Sequence, residues 1–278
     1  MNQSKKLYRY AVMATCAAFM SASLLSCSDG DDDPDISGNI TDTPSAWNVF
    51  TEGLPTNIGG ATLESNEKGQ VTRIQDGTKD ITFEYGRFTP SRAGNFTVVM
   101  KNRDKMYPSE DNDIYMQINK QEFVEYAYMV YLDAVEEPEE WWFEYNGNGQ
   151  LKRVKQNDSD KEFNITYKNG DITKVVQVDE DGDRYAYTIN YTNDKFSTPV
   201  ANKGCVMLYD DCFQIDMDEM EIAYYAGLLG KATVNLPMGY VDVEDEMEET
   251  FYWEFNSMNL PVKFSYGSYG AENFTWTW

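Results

Sequence analysis

The chain has 278 residues, 47 of them acidic and 23 basic, with no histidine and four cysteines. A formal charge of −24 opposes binding to nucleic acid, whose affinity comes mainly from neutralised phosphates. Without histidine there is no Ser-His-Asp or Cys-His constellation and no His-ligated metal, while the length suffices for one large domain with a sizeable core.

At the amino end, Lys5, Lys6 and Arg9 make a cationic start, Tyr10–Met20 is mostly small or apolar, and Leu24-Leu25-Ser26-Cys27 follows. The apolar run is too short and too interrupted to span a bilayer. A small residue before a cysteine, with leucine three positions ahead of it, resembles the lipobox of bacterial lipoproteins. The resemblance implies that residues 1–26 are a signal peptide that is removed. It also implies that the Cys27 thiol is acylated, with chains such as palmitate, and becomes the first residue. Cys16, preceded by Met13-Ala14-Thr15, lacks the pattern. Removal of the segment takes three bases and no acid, so the mature chain is more acidic still.

Residues 27–45 form an acidic tether. Asp29, Asp31, Asp32, Asp33 and Asp35 cluster there, and neither Lys nor Arg occurs from Ser28 to Glu67. Such a block cannot build a core and is expected to stay extended and solvated. Acids just after the lipidated cysteine also resemble the export signal of Bacteroidota surface lipoproteins. That resemblance implies an outer-membrane lipid anchor with the protein facing outward.

Residues 46–278 read as one β-rich domain. Ile81–Tyr85, Phe163–Tyr167 and Tyr185–Tyr191 alternate apolar and polar residues, as do stretches around Ile114, Met116 and Ile118. Near the end, Phe251, Trp253 and Phe255, then Val262, Phe264 and Tyr266, then Phe274, Trp276 and Trp278 repeat the pattern. Such alternation, bounded by Asn, Gly and Asp, marks half-buried antiparallel strands. A turn pattern recurs too: Gly69-Gln70-Val71-Thr72-Arg73-Ile74, Gly149-Gln150-Leu151-Lys152-Arg153-Val154 and Gly170-Asp171-Ile172-Thr173-Lys174-Val175. It predicts strand–turn–strand units in which Gly supplies positive φ. A meander of hairpins must cover its edges, so the predicted fold is all-β, a large antiparallel up-and-down meander closing into a barrel or strongly curled sheet. One short helix is expected near 216–227, ended by Gly227 or Gly230.

The lipobox, the hairpin repeats and the stretch Tyr224-Tyr225-Ala226-Gly227-Leu228-Leu229-Gly230 with Leu236-Pro237 together resemble an uncharacterised Bacteroidales lipoprotein family with a porin-like β-barrel domain. The repeats also resemble the tandem Tyr-Asp repeats of large surface proteins. The family resemblance implies a many-stranded antiparallel barrel and carries no activity and no catalytic residue. The carboxyl end Phe274–Trp278 looks like the closing strand of a membrane barrel, but Glu84, Glu144 and Glu254 interrupt the strands and most runs are shorter than a spanning strand needs. A soluble, lipid-tethered domain fits better.

Three patterns invite chemistry. Asp179, Asp181 and Asp183 open like a calcium loop, although Arg184 stands where Gly is required and Asp-Gly is an ordinary hairpin turn. Cys205 and Cys212 are the remaining mature thiols, and export permits a disulfide between them. Trp141 and Trp142 are adjacent, so on a strand they face opposite ways, and one could stack on a sugar or line a pocket. The expected function is a non-enzymatic binding or accessory domain that holds an apolar or amphipathic, lipid-like ligand in an aromatic interior. The alternative is a structural or adhesion module that recognises a glycan or partner protein through its rim. A pocket of several hundred Å³ lined by aromatics favours the first; a filled interior favours the second.

Overall fold

A computed structural model of the chain describes residues 44–278 apart from 93, 134–136, 158–160 and 267–271. The signal peptide 1–26, Cys27 and the tether up to residue 43 lie outside the described residues. The strands are β1 (Asn57–Ile58), β2 (Ala61–Ser65), β3 (Val71–Gln75), β4 (Lys79–Phe88), β5 (Phe96–Asp104), β6 (Asn112–Ile118), β7 (Val124–Tyr131) and β8 (Glu139–Tyr145). They continue as β9 (Leu151–Gln156), β10 (Glu162–Lys168), β11 (Asp171–Val178), β12 (Arg184–Asn190), β13 (Gly239–Asp242), β14 (Glu248–Phe255), β15 (Pro261–Tyr266) and β16 (Glu272–Thr277). Each pairs antiparallel with its neighbours in sequence, and β1 closes the ring on β16 through Asn57↔Thr277 and Ile58↔Trp276. The fold is the predicted all-β up-and-down barrel.

Alternation places Val98, Met100, Ile114, Met116, Trp141, Phe143, Val154 and Phe163 inside, all buried. Their neighbours face out, where ions pair across strands. Arg153 bridges Glu144 at 3.0 Å and Glu162 at 2.7 Å, Arg73 meets Asp80 at 2.6 Å, and Arg103 meets Asp113 at 2.6 Å. This is the reverse of a spanning barrel, whose outer band is apolar and whose lumen is wet.

A wall of 16 strands encloses more space than its own side chains fill; porins of this size hold an aqueous channel. Here the space is taken by the connection from β12 to β13, residues 191–238. Asn190 pairs with Gly239, so this long segment leaves and rejoins the wall at one point and folds inward as a plug. Met207, Tyr209, Phe213, Met217, Tyr224, Leu228, Leu229 and Leu236 on it are buried in one cluster with the wall. The plug is bonded around the ring. Val124 N–H donates to the Leu228 carbonyl at 2.9 Å, Gln150 Nε2 to the Ala232 carbonyl at 3.0 Å, and Trp253 Nε1 to the Pro237 carbonyl at 2.8 Å. Trp276 Nε1 donates to the Tyr225 hydroxyl at 3.2 Å. Gly227, at φ 75°, sits where a Cβ would come within 2.7 Å of Ala46 Cα; only glycine lets the plug pass the entering chain.

The helix expected at 216–227 is a 3₁₀ turn over Asp218–Tyr224, and a short α-helix, α1 (Tyr209–Phe213), precedes it. Asp218 is the first residue of the 3₁₀ turn and lies in the left-handed region, φ 48°. The tighter winding aligns Met220 and Ala223, three apart, on the buried side.

The expected disulfide is also corrected: Cys205 and Cys212 are free thiols. Cys212 is buried on α1. Cys205 lies at φ 51° in a turn closed by Asn202, which donates to the Val206 carbonyl and accepts from Val206 N–H, both at 2.8 Å. The Cys205 carbonyl in turn accepts from the Tyr224 hydroxyl.

Because consecutive strands are antiparallel, their turns fall alternately at the two ends. At one end Asn66, Asn119, Asn146 and Asn256 each use Oδ1 to accept from two amides of their own turn. The residue three further on takes positive φ in each: Gly69, Glu122, Gly149 and Asn259. At the other end the same task falls to aspartates. Asp76, Asp104, Asp179 and Asp242 each accept from two amides of their turns. The barrel therefore has an amide-capped end, where the chain enters at Pro44 and the plug begins and returns, and a carboxylate-capped end. The latter is negative by construction.

Candidate functional site

The tip of the plug reaches the carboxylate-capped end. Lys161 of the β9–β10 connection meets Asp216 at 3.3 Å, and the Tyr266 hydroxyl meets Asp211 at 3.1 Å. Between the 3₁₀ turn and the wall of β4, β5 and β6 lies a cavity of about 270 Å³. Ile81, Asn102, Arg103 and Asn112 line it from the wall, Glu110 from the β5–β6 loop, and Asp218, Glu219, Glu221 and Ile222 from the plug. Asn102 donates through Nδ2 to Asn112 Oδ1 at 2.8 Å, and this pair is buried. The Asn102 Oδ1 is buried with no hydrogen-bond partner. Arg103 is committed elsewhere: it donates to the carbonyls of Asn102 and Asn112 at 2.7 and 2.8 Å and pairs with Asp113.

Glu221 is the unusual acid of the site. Burial, then Asp210, then Asp216 and Asp211, push its carboxyl up to about 9, against a single opposing amide from Met217. Water touches this half-buried side chain through the mouth, but too little of it surrounds the carboxyl to solvate a charge. At neutral pH Glu221 is a protonated acid.

Around this mouth the loops expose apolar side chains. Met106 and Tyr107 between β5 and β6, Leu132 after β7, and Val243 and Met247 between β13 and β14 are 49 to 63% exposed. Interleaved with the aspartate-capped turns, they make an acidic, apolar-studded rim.

The residues singled out in the sequence are not brought together here. Trp141 faces the interior, stacked on Phe143 at 6.4 Å, whereas Trp142 is on the outer wall, 38% exposed and 5.7 Å from Tyr126. The two define no common pocket. On the outer wall Arg92 lies 5.7 Å from the centre of the Tyr126 ring and pairs with Glu140 at 2.5 Å. The Asp179, Asp181 and Asp183 carboxylates do not converge. Asp179 Oδ1 accepts from the amides of Asp181 and Asp183 at 3.1 and 2.9 Å, so it closes an ordinary β11–β12 hairpin. Among the described residues no group of three acids or cysteines is placed to hold a metal ion. Asn102, Glu221 and the rim were not singled out. Their only sequence signal is the alternation of acids with apolar residues over Asp216–Ile222.

Residues 63–269 match the model of a family described as a domain of unknown function, DUF4595, with porin-like fold. The chain belongs to this family. Among solved structures, the DUF4595 barrel is similar to a porin-like protein from Bacteroides uniformis, at 14% identity and a TM-score of 0.54, over 78% of this chain and 89% of that one. A porin-like protein from Bacteroides vulgatus is similar over 81% of this chain and 99% of that one, at 12% identity and a TM-score of 0.41. Among curated proteins none matches the chain. For this DUF4595 member, the likeness to porins lies in architecture; the chemistry of the two faces of the wall is reversed.

Proposed function

We propose that the protein is a surface-anchored, non-enzymatic recognition module, tethered through Cys27 and binding a partner protein through the rim of its acidic mouth. The observation that carries this reading is the rim itself. Met106, Tyr107 and Leu132 are exposed at one end beside β5–β8, with Val243 and Met247 across the ring in the β13–β14 turn, while the aromatic interior that a lipid-like ligand would need is occupied by residues 191–238. Exposed apolar side chains set among fixed charges around a rim suit a protein interface better than bulk water. The carboxylates around them select a partner with a basic face and speed its approach. The porin-like fold and its polar outer wall support a surface-associated domain held by lipid rather than inserted in it. The tether joins at Pro44, on the amide-capped end, which leaves the acidic mouth at the end farther from that join.

The test is photo-crosslinking on intact host cells, with the reactive residue placed at Tyr107 or Met247 and, as a control, at Met258 on the opposite end. The reading predicts one discrete adduct from the first two sites, diminished by salt, and none from Met258. Equal labelling from both ends, or release by protease that leaves no surface protein to label, would overturn it.

A glycan is the second reading, favoured by Trp142 beside Tyr126 on the outer wall. If that wall binds sugar, Trp142→Ala lowers affinity by about tenfold, the size of one lost stacking contact, on a glycan surface read by biolayer interferometry. Trp142 is 38% exposed and packs on Tyr126, so the melting temperature falls by a few degrees while the fold persists.

A further inference from the structure

We propose that the cavity beneath the acidic mouth is a binding site for a small aliphatic ammonium ion, with the charged head at Glu221 and the methylenes between Ile81 and Ile222. The site is distinct from the rim that meets the partner, and the two readings stand or fall separately.

Charge selects the class. Asp104, Glu110, Asp218, Glu219 and Glu221 line the cavity against two bases, Lys79 and Arg103, and Arg103 is bound to two carbonyls and Asp113. The excess is negative, and the aspartate-capped turns around the mouth extend it. An anion is therefore repelled. Hydrogen bonding selects further. The Asn102 side chain is 9% exposed and lines the cavity, and its buried Oδ1 has no partner. A buried acceptor left without a donor is destabilising, and an N–H group arriving beside Asn102 relieves that cost. A bare metal ion is not served, since no group of three ligating side chains exists among the described residues. Ile81 and Ile222 offer apolar walls that a hydrated metal would leave uncovered and an alkyl chain would cover. At about 270 Å³ the cavity falls below the usual size for drug-sized ligands, so the occupant is small.

Glu221 gives the site its linkage to pH. On the plug it is flanked by Asp218 and Glu219, with Asp216 before them and Asp210 and Asp211 on α1. From the wall it faces Lys79, Arg103, Asp104 and Glu110. Burial first, then Asp210, Asp216 and Asp211, keeps it protonated at neutral pH, while the cations Lys79 and Arg103 favour the ionised form. An ammonium head pairs with the ionised form, so binding expels the Glu221 proton to buffer and strengthens as pH rises towards 9.

The test is titration calorimetry of the full chain with 1,5-diaminopentane, and with sodium pentanoate and calcium chloride as controls. The proposal predicts saturable heat with the diamine alone and a heat that varies with buffer ionisation enthalpy at pH 7, the sign of proton release. Glu221→Gln weakens binding about tenfold. Ile222→Lys, which places an ammonium of the protein's own in the cavity, abolishes it. Should Glu221→Gln not fold, the half-buried Ile222→Lys decides alone. No saturable heat at about 10 mM diamine, equal heat with calcium, or undiminished binding by Ile222→Lys overturns the proposal.

Discussion

Replacing Tyr224 with alanine lowers the stability of the barrel by about 4 kcal/mol, within the range for deleting a large aromatic from a packed core. Tyr224 is on the plug, yet it is fully buried. Its ring packs edge-on to Phe50 at 5.4 Å and to Tyr209 and Tyr225 at 5.7 Å, so its loss opens a void between the plug and the entering segment. Its hydroxyl also donates to the Cys205 carbonyl. Tyr224→Phe separates the two effects. It keeps the ring, strands that carbonyl, and costs about 1–2 kcal/mol. Urea denaturation followed by tryptophan fluorescence reads both, because Trp253 and Trp276 are buried against the plug. If the plug were only a loop lying loosely in an open lumen, both substitutions would be nearly silent.

The second large effect is one of pH, and its sign is opposite to the usual carboxylate case. Glu221 holds its proton up to about 9 in the folded state against 4.5 as its ordinary value. The folded protein therefore binds more protons than the unfolded chain between those limits, and stability falls as pH rises from 4.5 to 9. Below 4.5 the acid is neutral in both states and costs nothing. Glu221→Gln removes the slope while keeping an acceptor for the Met217 amide. The variant is expected to exceed the parent by about 2 kcal/mol at pH 8 and to match it at pH 4. The figure is below the full linkage value because water entering the mouth screens a half-buried charge. Melting temperatures of both proteins across pH 4 to 9 check this directly; parallel curves would contradict it.

The wall of the barrel was legible because period-2 alternation is a local signal that burial of one face enforces. The amide-capped turns were legible only in part. The repeats at Gly69 and Gly149 carry the glycine that positive φ favours, and both form the same asparagine-closed turn. The identical turns at Asn119 and Asn256 carry no glycine signal, because Glu122 and Asn259 occupy the left-handed position instead. The third repeat, at Gly170, is a different object: a two-residue turn with Asn169 and Gly170 both at positive φ. The plug was legible only in fragments, as a short helical turn near 216–227 and the glycine-ended stretch Tyr224–Gly230, and not as a plug. Its residues are as apolar as a strand core but have no period, since they pack in every direction within a ring that only the closed structure supplies. For the same reason Trp141 and Trp142 read as one feature in sequence and belong to two faces in space. The cavity at Glu221 needs β4, β5, β6 and the plug tip at once, and no stretch of sequence holds them together.

Amide hydrogen exchange over residues 206–229 tests most directly whether the barrel is filled by its own chain, leaving recognition to its mouth and outside. The filled barrel predicts protection of the hydrogen-bonded amides of Cys212, Ile215 and Leu228 comparable to that of β5 and β6, because all of them open only with the core. Exchange of this segment within seconds, with the strands still protected, would mean an open lumen and would contradict it.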